Sequence, residues 1–422
     1  MLRAIYHSSL ILYIILESNI IHLNKTIMKH HIFIKLLGII ILLSSCHKEV
    51  IVPVEDISFD MPINTHTNGI EFQNVLDKYT KNGLVGVSLA IDDPVYGFWA
   101  GASGMACLET GQPMTKYHIQ RGGSIPKMYT GTAIMLLYEE GLIDLDAKMN
   151  TYLPKSICDN ITNGNEITIR QLLTHSSGLY EYSSNPQYYF DIMNNPGEID
   201  YTPLELIEFM YGKPADFKPG EYTYYCDSNF LLLAVIIDYI INGNHAQYFK
   251  EKMFDPNGLT HTYYKVQNGY PNIPGTPNCY SDWYGNGKYI NISDIQNKWD
   301  VMVGDDGMYA STYDYLQFAK LLCEGQIVKQ SSLDMMKDWI EFDDDDEDVS
   351  KVGLSLLHWQ NKTKDIWGMG HGGNSQGTGG YLFYFPDRGI TIALFTNTDT
   401  ERGEGGKIFK ELWEEIVAVA MK

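Results

Sequence analysis

The segment Arg121–Lys127 (RGGSIPK) carries a serine and a lysine three residues apart, where a glycine-containing loop runs into an apolar stretch. Residues three apart lie on the same face of a helix, so we expect the side chains of Ser124 and Lys127 to point in the same direction. Pro126 is tolerated only in the first helical turn, which places Ser124 at the helix start, near the positive end of the dipole. A hydroxyl beside an amine can become a nucleophile, although Ser-x-x-Lys alone is also common at ordinary helix starts.

Two later segments carry side chains that can move protons or bind a substrate. Pro219–Phe230 (PGEYTYYCDSNF) contains Tyr225 and Asp227 and precedes an apolar helical stretch. Gly370–Asn374 (GHGGN) contains His371 and leads towards the last strands of the chain. Each segment alone also has an ordinary explanation. Tyr225 is one of 30 tyrosines in the chain, and His371 could be a loop histidine whose ring is hydrogen-bonded.

The elements that must position these residues follow from hydrophobic periodicity. The pattern predicts a helix over 70–79, strands over 84–91 and 96–100, a helix over 125–140, strands over 380–385 and 390–397, and a last helix over 407–419. The middle, from about 150 to 300, mixes helices (204–211 and 231–241) with loops rich in Gly, Pro, Asn and Tyr. The simplest assembly is one sheet built from both ends of the chain, a mostly helical second lobe, and a catalytic cleft between the two.

Composition excludes several classes of function. The chain has 422 residues and a formal charge of −21, and so acidic a surface repels phosphate backbones, which argues against nucleic-acid binding. Five cysteines follow Cys46, an odd number without CxxC spacing, so we expect neither a disulfide scaffold nor a zinc site, and no cofactor. The acidic run 343–348 lacks the alternation and central glycine of a calcium loop, which favours a solvated surface loop.

The N-terminus is interpreted as a targeting segment. Residues 1–27 are taken as an upstream extension, with translation starting at Met28. The apolar run 32–43 is too short for a folded membrane anchor but suits the apolar region of a signal peptide. It ends in Leu43–Cys46 (LSSC), and small residues before a cysteine at this place resemble a bacterial lipobox, in which the cysteine is lipidated.

The domain boundaries follow from this interpretation. Residues 28–46 are predicted to be a lipoprotein signal peptide, and residues 47–67, without sustained periodicity, a tether. Cys46 would then be the protein's only contact with the membrane. Because His47 rather than aspartate follows the cysteine, the usual bacterial sorting rule predicts a periplasmic lipoprotein anchored to the outer membrane.

In their order along the chain, the three chemical segments resemble the β-lactamase-related serine hydrolases of the class C type, a group that includes D,D-carboxypeptidases, esterases and D-amino-acid amidases. The marks of the group are Ser-x-x-Lys, Tyr-x-Asn and a Lys- or His-x-Gly. The resemblance covers about residues 68–420. It extends to three connecting segments: Ile167–Leu179 (ITIRQLLTHSSGL), Asp306–Thr312 (DGMYAST) and Phe385–Gly389 (FPDRG).

The resemblance implies a fold. It is a β-lactamase/transpeptidase-like α/β fold of the α+β type, in which helices flank an antiparallel sheet. The hydrolase domain would span 68–422, with the α/β lobe formed by about 68–150 and 297–422 and the helical lobe by about 150–297.

The resemblance also implies a mechanism. Ser124 would attack a carbonyl and become an acyl ester, while Lys127 and Tyr225 relay its proton. Either of the two can be the formal base. A tyrosine held as phenolate at pH 7 costs about 4 kcal/mol unless a cation such as Lys127 offsets it. The backbone N–H groups of Ser124 and Asn374 would form the oxyanion hole, beside Gly373.

Two departures from the family pattern bear on the substrate. The second motif is Tyr-x-Asp, because Asp227 stands where the family has asparagine, and an ionised aspartate only accepts hydrogen bonds. Asp227 should also favour a protonated Lys127, which moves the base role towards Tyr225. In the third motif His371 replaces the lysine of class C β-lactamases, and a neutral imidazole is a poor anchor for a substrate carboxylate. Both changes favour D-amino-acid peptides, amides or small esters over β-lactams, with activity on carboxylate substrates that titrates with His371.

Other functions fit the sequence less well. Gly373–Gly377 (GNSQG) matches the Gly-x-Ser-x-Gly elbow of α/β-hydrolases, but that fold needs a histidine after the nucleophile, and the last histidine, His371, precedes Ser375. No metallo-hydrolase cluster is present. A glycan-binding module would not need the three ordered motifs. A penicillin-recognising sensor or an inactive homologue that binds cell-wall peptides without turnover stays the alternative. The presence of Ser124, Lys127 and Tyr225 together argues against it, because an inactive homologue is free to lose any of the three. We expect a small-molecule or peptidoglycan-peptide substrate.

Lipidation of Cys46 is directly testable. Expression from Met28 in a Gram-negative host should give a protein that partitions into detergent, because a lipidated cysteine adds acyl chains that favour the membrane phase. Cys46→Ala should give soluble or unprocessed protein. Equal partitioning of the two proteins in a phase-separating detergent would contradict the assignment.

Overall fold

In the computed structural model of the chain, both ends contribute strands to one nine-stranded sheet whose strand pairs are all antiparallel. Strand Gly86–Asp93 joins the two ends, because it pairs with Gly97–Cys107 on one side and with Ile390–Thr396 on the other. The predicted β-lactamase/transpeptidase-like fold, with a sheet built from both chain ends, is therefore confirmed.

The structure describes residues 53–194, 201–264, 273–299, 302–342, 348–361 and 365–422. Residues 53–422 form one compact unit. Met28, Cys46 and the signal peptide lie outside the described residues, as does 343–347 of the acidic run.

The strands, numbered in chain order, are β1 Gly86–Asp93, β2 Gly97–Cys107, β3 Gln112–Pro113, β4 Ile119–Arg121, β5 Thr262–Tyr264, β6 Tyr280–Ser281, β7 Ile290–Asn291, β8 Met308–Ser311, β9 Ile340–Glu341, β10 Val349–Val352, β11 Leu357–Asn361, β12 Ile366–Ser375, β13 Thr378–Phe385 and β14 Ile390–Thr396. The nine-stranded sheet has the order β3-β2-β1-β14-β13-β12-β11-β10-β9. A small sheet has the order β4-β8-β5, and β6 pairs with β7.

The α-helices are α1 Gly69–Lys81, α2 Pro126–Glu139, α3 Lys155–Cys158, α4 Ile169–Leu173, α5 Pro186–Asn194, α6 Pro203–Glu208, α7 Ser228–Ile241, α8 His245–Phe249, α9 Ser293–Trp299, α10 Thr312–Cys323, α11 Gln330–Met336 and α12 Gly405–Ala420. Helix α8 continues into a π-helical turn, Lys250–Phe254. Short 3-10 turns occupy Met149–Thr151, Tyr182–Ser184 and Asp255–Asn257. Within the described ranges, no helix combines the length and apolarity that crossing a membrane requires.

Two hydrophobic clusters lie on opposite faces of the sheet. Because side chains alternate along a strand, Leu89 of β1 faces the cluster under α1 and α12, where Trp413 is fully buried. Its neighbour Ala90 faces the larger cluster, which contains α2 and α7. Helix α2, which begins just after Ser124, is thus held between the sheet and the helical region, where a cleft can form.

The described part of the expected tether, residues 53–67, has no helix or strand up to Thr67 but lies against the domain. Val54 is buried, and Asn64 exchanges two hydrogen bonds with the backbone of Ala100. The ring of Phe59 stacks on His261, with ring centroids 3.8 Å apart. No disulfide joins any of the described cysteines, all five of which are buried.

Candidate active site

Ser124 lies in the turn between β4 and α2. Pro126 occupies the first helical position, as the sequence predicts, and the Lys127 N–H donates to the Ser124 carbonyl at 3.1 Å. Gly123 has φ +53°, a left-handed conformation that glycine adopts at low cost. The turn leaves the Ser124 side chain partly exposed while Lys127, on the same face, is fully buried.

The Lys127 ammonium makes contacts in three directions. Its Nζ lies 3.0 Å from Ser124 Oγ, 2.7 Å from Asp227 Oδ1 and 3.0 Å from the Asp305 carbonyl oxygen. The ammonium donates hydrogen bonds to Ser124 and to the Asp305 carbonyl, and its contact with Asp227 is an ion pair. The rings of Tyr225 and Phe230 lie 4.9 and 5.9 Å from Nζ and supply cation–π contacts.

These contacts keep Lys127 charged. Burial lowers its pKa, but electrostatic interactions, first with Asp227 and then with Tyr225 and Asp305, more than reverse that effect, so the pKa of Lys127 is raised above its usual value. The expectation that Asp227 favours a protonated lysine is confirmed. In the resting site Lys127 is a cation that must give up or share a proton before it can accept one from Ser124.

Tyr225 is held as a phenol. Its ring stacks on that of His175, with centroids 4.6 Å apart. No hydrogen bond of normal geometry reaches its hydroxyl from the described residues, although Ser124 and Lys127 lie close enough to lower its pKa. Burial outweighs them and, together with Asp227, raises the pKa of Tyr225. The expectation that Lys127 offsets the cost of a resting phenolate is therefore wrong, because desolvation disfavours the anion more than one neighbouring cation, already paired with Asp227, favours it.

Carboxyl groups surround this centre. The Asp227 N–H donates to Glu181 Oε2 at 2.5 Å, and burial together with the charge of Asp227 raises the pKa of Glu181. Asp305 accepts a hydrogen bond from Tyr182 at 2.9 Å, and burial raises its pKa well above the usual range. Glu401 keeps contact with solvent, yet desolvation, Asp399 and Asp227 raise its pKa against the opposing charge of Arg402.

His371 is buried on β12. Its Nδ1 lies 2.5 Å from the carbonyl oxygen of Gly372, and its ring is 6.2 Å from that of Tyr225. Burial and the charge of Lys127 lower the pKa of His371 to about 3. The expected neutral imidazole is confirmed, but the expectation that activity titrates with His371 near its unperturbed pKa of about 6.5 is wrong for this buried environment.

Strand β12 brings the third segment against the nucleophile. Pairing with β11 stops at Gly370, whereas pairing with β13 continues to Ser375, so the end of β12 has no strand beside it on the β11 side among the described residues. A Cβ added to Gly373 would lie 2.0 Å from the Gly122 carbonyl oxygen and 3.1 Å from the Ser124 nitrogen. A Cβ on Gly123 would lie 2.8 Å from the Asn374 nitrogen. The two backbones that carry the proposed oxyanion donors are therefore in contact, while the Asn374 side chain accepts from Thr400 at 2.9 Å.

The structure thus brings all seven domain residues of the sequence-based site into one region: Ser124, Lys127, Tyr225, Asp227, His371, Gly373 and Asn374. Sequence reasoning missed three supporting residues, Glu181, Asp305 and His175. His175 lies in the family-typical Ile167–Leu179 segment and has φ +54°, unusual for a residue with a side chain. The rival nucleophile Ser375 donates to the amide oxygen of Gln296 at 3.0 Å rather than to a base.

A comparison with protein families matches residues 72–413 to the Beta-lactamase family. Penicillin-binding protein 4 of Amycolatopsis lactamdurans is 22% identical over 335 residues, covering 76% of this chain and 83% of that protein. PbpX of Bacillus subtilis is 29% identical over 225 residues, covering 53% of this chain. The chain spans half the length of PbpX, 50%, in that match.

Solved structures agree in fold. A D-stereospecific amidohydrolase from Streptomyces sp. has a TM-score of 0.68 at 24% identity, covering 81% of this chain and 97% of that one. The D-amino acid amidase of Ochrobactrum anthropi SV3, in complex with L-phenylalanine amide, has a TM-score of 0.71 at 21% identity, covering 82% and 97%. At these identities the likeness shows the fold.

The close approach of β12 to the Ser124 turn predicts the effect of one added methyl group. Gly373→Ala should lower kcat by about 100- to 1,000-fold, the cost of losing one oxyanion donor, because the added carbon pushes Asn374 away from Ser124. Gly372→Ala is the matched control on the same strand, since its Cβ would meet nothing nearer than 3.8 Å. Equal kcat values for the two variants, measured on one ester or amide substrate, would contradict this geometry.

Proposed function

We propose that this chain, which belongs to the beta-lactamase family of serine hydrolases, cleaves amides and short peptides of D-amino acids that carry a free amino group. The observation that carries the proposal is the charge of the site. Asp227 neutralises Lys127 at 2.7 Å, and His371, at the place of the third motif, is buried and neutral.

The residues support an acyl-enzyme reaction. Lys127 passes one proton to the Asp227 carboxylate, 2.7 Å away, and takes the Ser124 proton as Ser124 Oγ attacks the carbonyl carbon. The carbonyl oxygen gains negative charge and accepts from the N–H groups of Ser124 and Asn374. The C–N bond then breaks, the leaving amine takes a proton from Lys127, and Asp227 returns its proton to the lysine. Water hydrolyses the ester with the same groups, so no net proton remains on the protein.

The charge balance favours a cationic substrate group. A substrate carboxylate would meet a neutral imidazole and nearby carboxyl groups, so it lacks the cation that class C β-lactamases supply. A substrate ammonium would be attracted by the carboxyl groups of Asp227, Glu181 and Glu401, since the charge of Asp227 reaches both glutamates and raises the pKa of each. A mispaired polar contact at such a place costs about 1–3 kcal/mol, roughly ten- to a hundredfold in rate.

The named neighbours fit this class of substrate. The amidohydrolase from Streptomyces is described as D-stereospecific, and the Ochrobactrum enzyme as a D-amino acid amidase. Amides of D-amino acids carry the free ammonium that the acidic site would attract. Small esters remain the second substrate class, because an ester needs the same nucleophile and no charged anchor.

For the cellular location of the activity we propose the periplasm, with a lipid anchor at Cys46.

The proposal predicts selectivity for a free amine. Wild-type kcat/KM for D-phenylalanine amide should exceed that for its N-acetyl derivative by about 10- to 100-fold, because acetylation removes the ammonium. Asp227→Asn should reduce this ratio to within about threefold, whatever it does to kcat alone. Asp255→Asn is the matched control, since Asp255 also pairs with a lysine, Lys250, but on the surface.

Two results would contradict the proposal. One is faster turnover of the N-acetyl amide or of a chromogenic cephalosporin than of the free amide by the wild type. The other is a selectivity ratio that Asp227→Asn leaves unchanged. Ser124→Ala should abolish turnover of every substrate. A stoichiometric burst of product from the wild type, with no turnover after it, would instead identify an acylating sensor.

A further inference from the structure

A series of polar side chains, of which only Asp238 is partly exposed, leads to the loop that holds Lys127. It begins at Asp238 near the end of α7, continues through His245 of α8 and Tyr264 of β5, and reaches the backbone of Gly304. None of these four residues belongs to the three motifs. The inference rests on the proposed function only in that it requires Ser124 and Lys127 to act together.

The contacts are continuous. His245 Nδ1 lies 2.9 and 3.0 Å from the two carboxylate oxygens of Asp238, and His245 Nε2 lies 3.3 Å from the Tyr264 hydroxyl. The N–H of Gly304 donates to the same hydroxyl at 2.6 Å. Tyr264 and His245 are both buried.

The pattern of donors assigns the direction of each bond. Asp238 accepts from Nδ1–H, which leaves Nε2 as an acceptor for the Tyr264 O–H, and the Tyr264 oxygen accepts from Gly304. Burial raises the pKa of Tyr264, so the hydroxyl keeps the proton that this pattern requires. Hydrogen bonds in such a chain polarise one another and strengthen the last link, the one to Gly304.

Gly304 lies directly before the residue that contacts Lys127. The Asp305 carbonyl accepts from Lys127 Nζ, and the Gly304 carbonyl accepts from Thr130, one turn further along α2, at 2.7 Å. Gly304 has φ +85°, and a Cβ there would lie 2.3 Å from the Phe230 carbonyl oxygen. The peptide is thus held by α2, by α7 and by Tyr264, and the position of the Asp305 carbonyl depends on all three.

We propose that Tyr264 is a positioning residue for catalysis. By holding the Gly304 N–H it fixes the Asp305 carbonyl, and that carbonyl directs one proton of Lys127 away from Ser124, so that the ammonium stays 3.0 Å from the serine oxygen. His245 and Asp238 act through Tyr264 by fixing the orientation of its hydroxyl. No proton needs to travel along the chain.

A small loss of position is enough to affect the rate. A displacement of about 1 Å at a catalytic group can cost about 100-fold in rate. Removing the Tyr264 hydroxyl leaves the ring in place but leaves the buried Gly304 N–H without its acceptor, so the peptide is free to shift. The substrate contacts are unchanged, and we therefore expect an effect on kcat and not on KM.

The test compares two Tyr→Phe variants by their rate of reaction with a fluorophosphonate, which reports on Ser124 without needing the natural substrate. Tyr264→Phe should lower the maximal labelling rate by about 10- to 100-fold and leave the concentration for half-maximal rate within about twofold. Tyr248→Phe is the matched control, because the Tyr248 hydroxyl is buried but has no hydrogen-bond partner among the described residues. It should label at the wild-type rate.

A second pair of variants keeps the inference testable if Tyr264→Phe folds poorly. His245→Gln keeps an acceptor within reach of Tyr264 and should retain more of the labelling rate than His245→Leu, with both proteins assayed well below their unfolding temperatures. Equal rates for Tyr264→Phe and Tyr248→Phe, or for the two His245 variants, would overturn the positioning role. Labelling rates in the predicted order with no turnover of D-amino-acid amides would contradict the proposed substrate class and would support the positioning role.

Discussion

The site depends on a fully buried lysine side chain, Lys127. Removing an ammonium from water costs several kcal/mol unless its protons are paired, and Lys127 meets that requirement with Ser124, Asp227 and the Asp305 carbonyl. The three acceptors come from the start of α2, the start of α7 and the loop before β8. Each of these elements must be in place before the buried charge of Lys127 is paired. The site therefore assembles only when the domain folds.

The same pairing sets the electrostatics that a substrate meets. Because Asp227 neutralises Lys127 locally, the lysine cannot also serve as an anchor for an anion. Burial and the remaining effect of Lys127 keep His371 uncharged, with a pKa of about 3. Burial also keeps Tyr225 protonated. Asp227, which stands where the family has asparagine, therefore changes more than one contact. It affects the protonation of Lys127 and Tyr225, and it adds a negative charge near the substrate.

Local patterns in the sequence predicted the parts of the site that depend on spacing along one element. Ser124 and Lys127 share a face because they are three residues apart, and Pro126 fixes the helix start, as the structure confirms. The helices and strands at both ends were also predictable from periodicity. Strand β12 was not, because Gly368, Gly370, Gly372 and Gly373 interrupt any apolar alternation. The Asp305 carbonyl and Glu181 were missed because their contacts with Lys127 and Asp227 join distant segments, and no local pattern records such contacts. The pKa values of Tyr225 and His371 follow from burial, which the motif alone does not show.

The central claim is that Lys127 activates Ser124 for acylation. The most direct measurement is intact-protein mass spectrometry at short times after addition of a fluorophosphonate, followed by peptide mapping, in the wild type and in Lys127→Ala. We predict one adduct, on the peptide that contains Ser124, and labelling at least about 1,000-fold slower without the lysine, as for catalytic groups that act as a unit. Labelling of Ser375, or of Ser124 at the same rate in both proteins, would contradict the account.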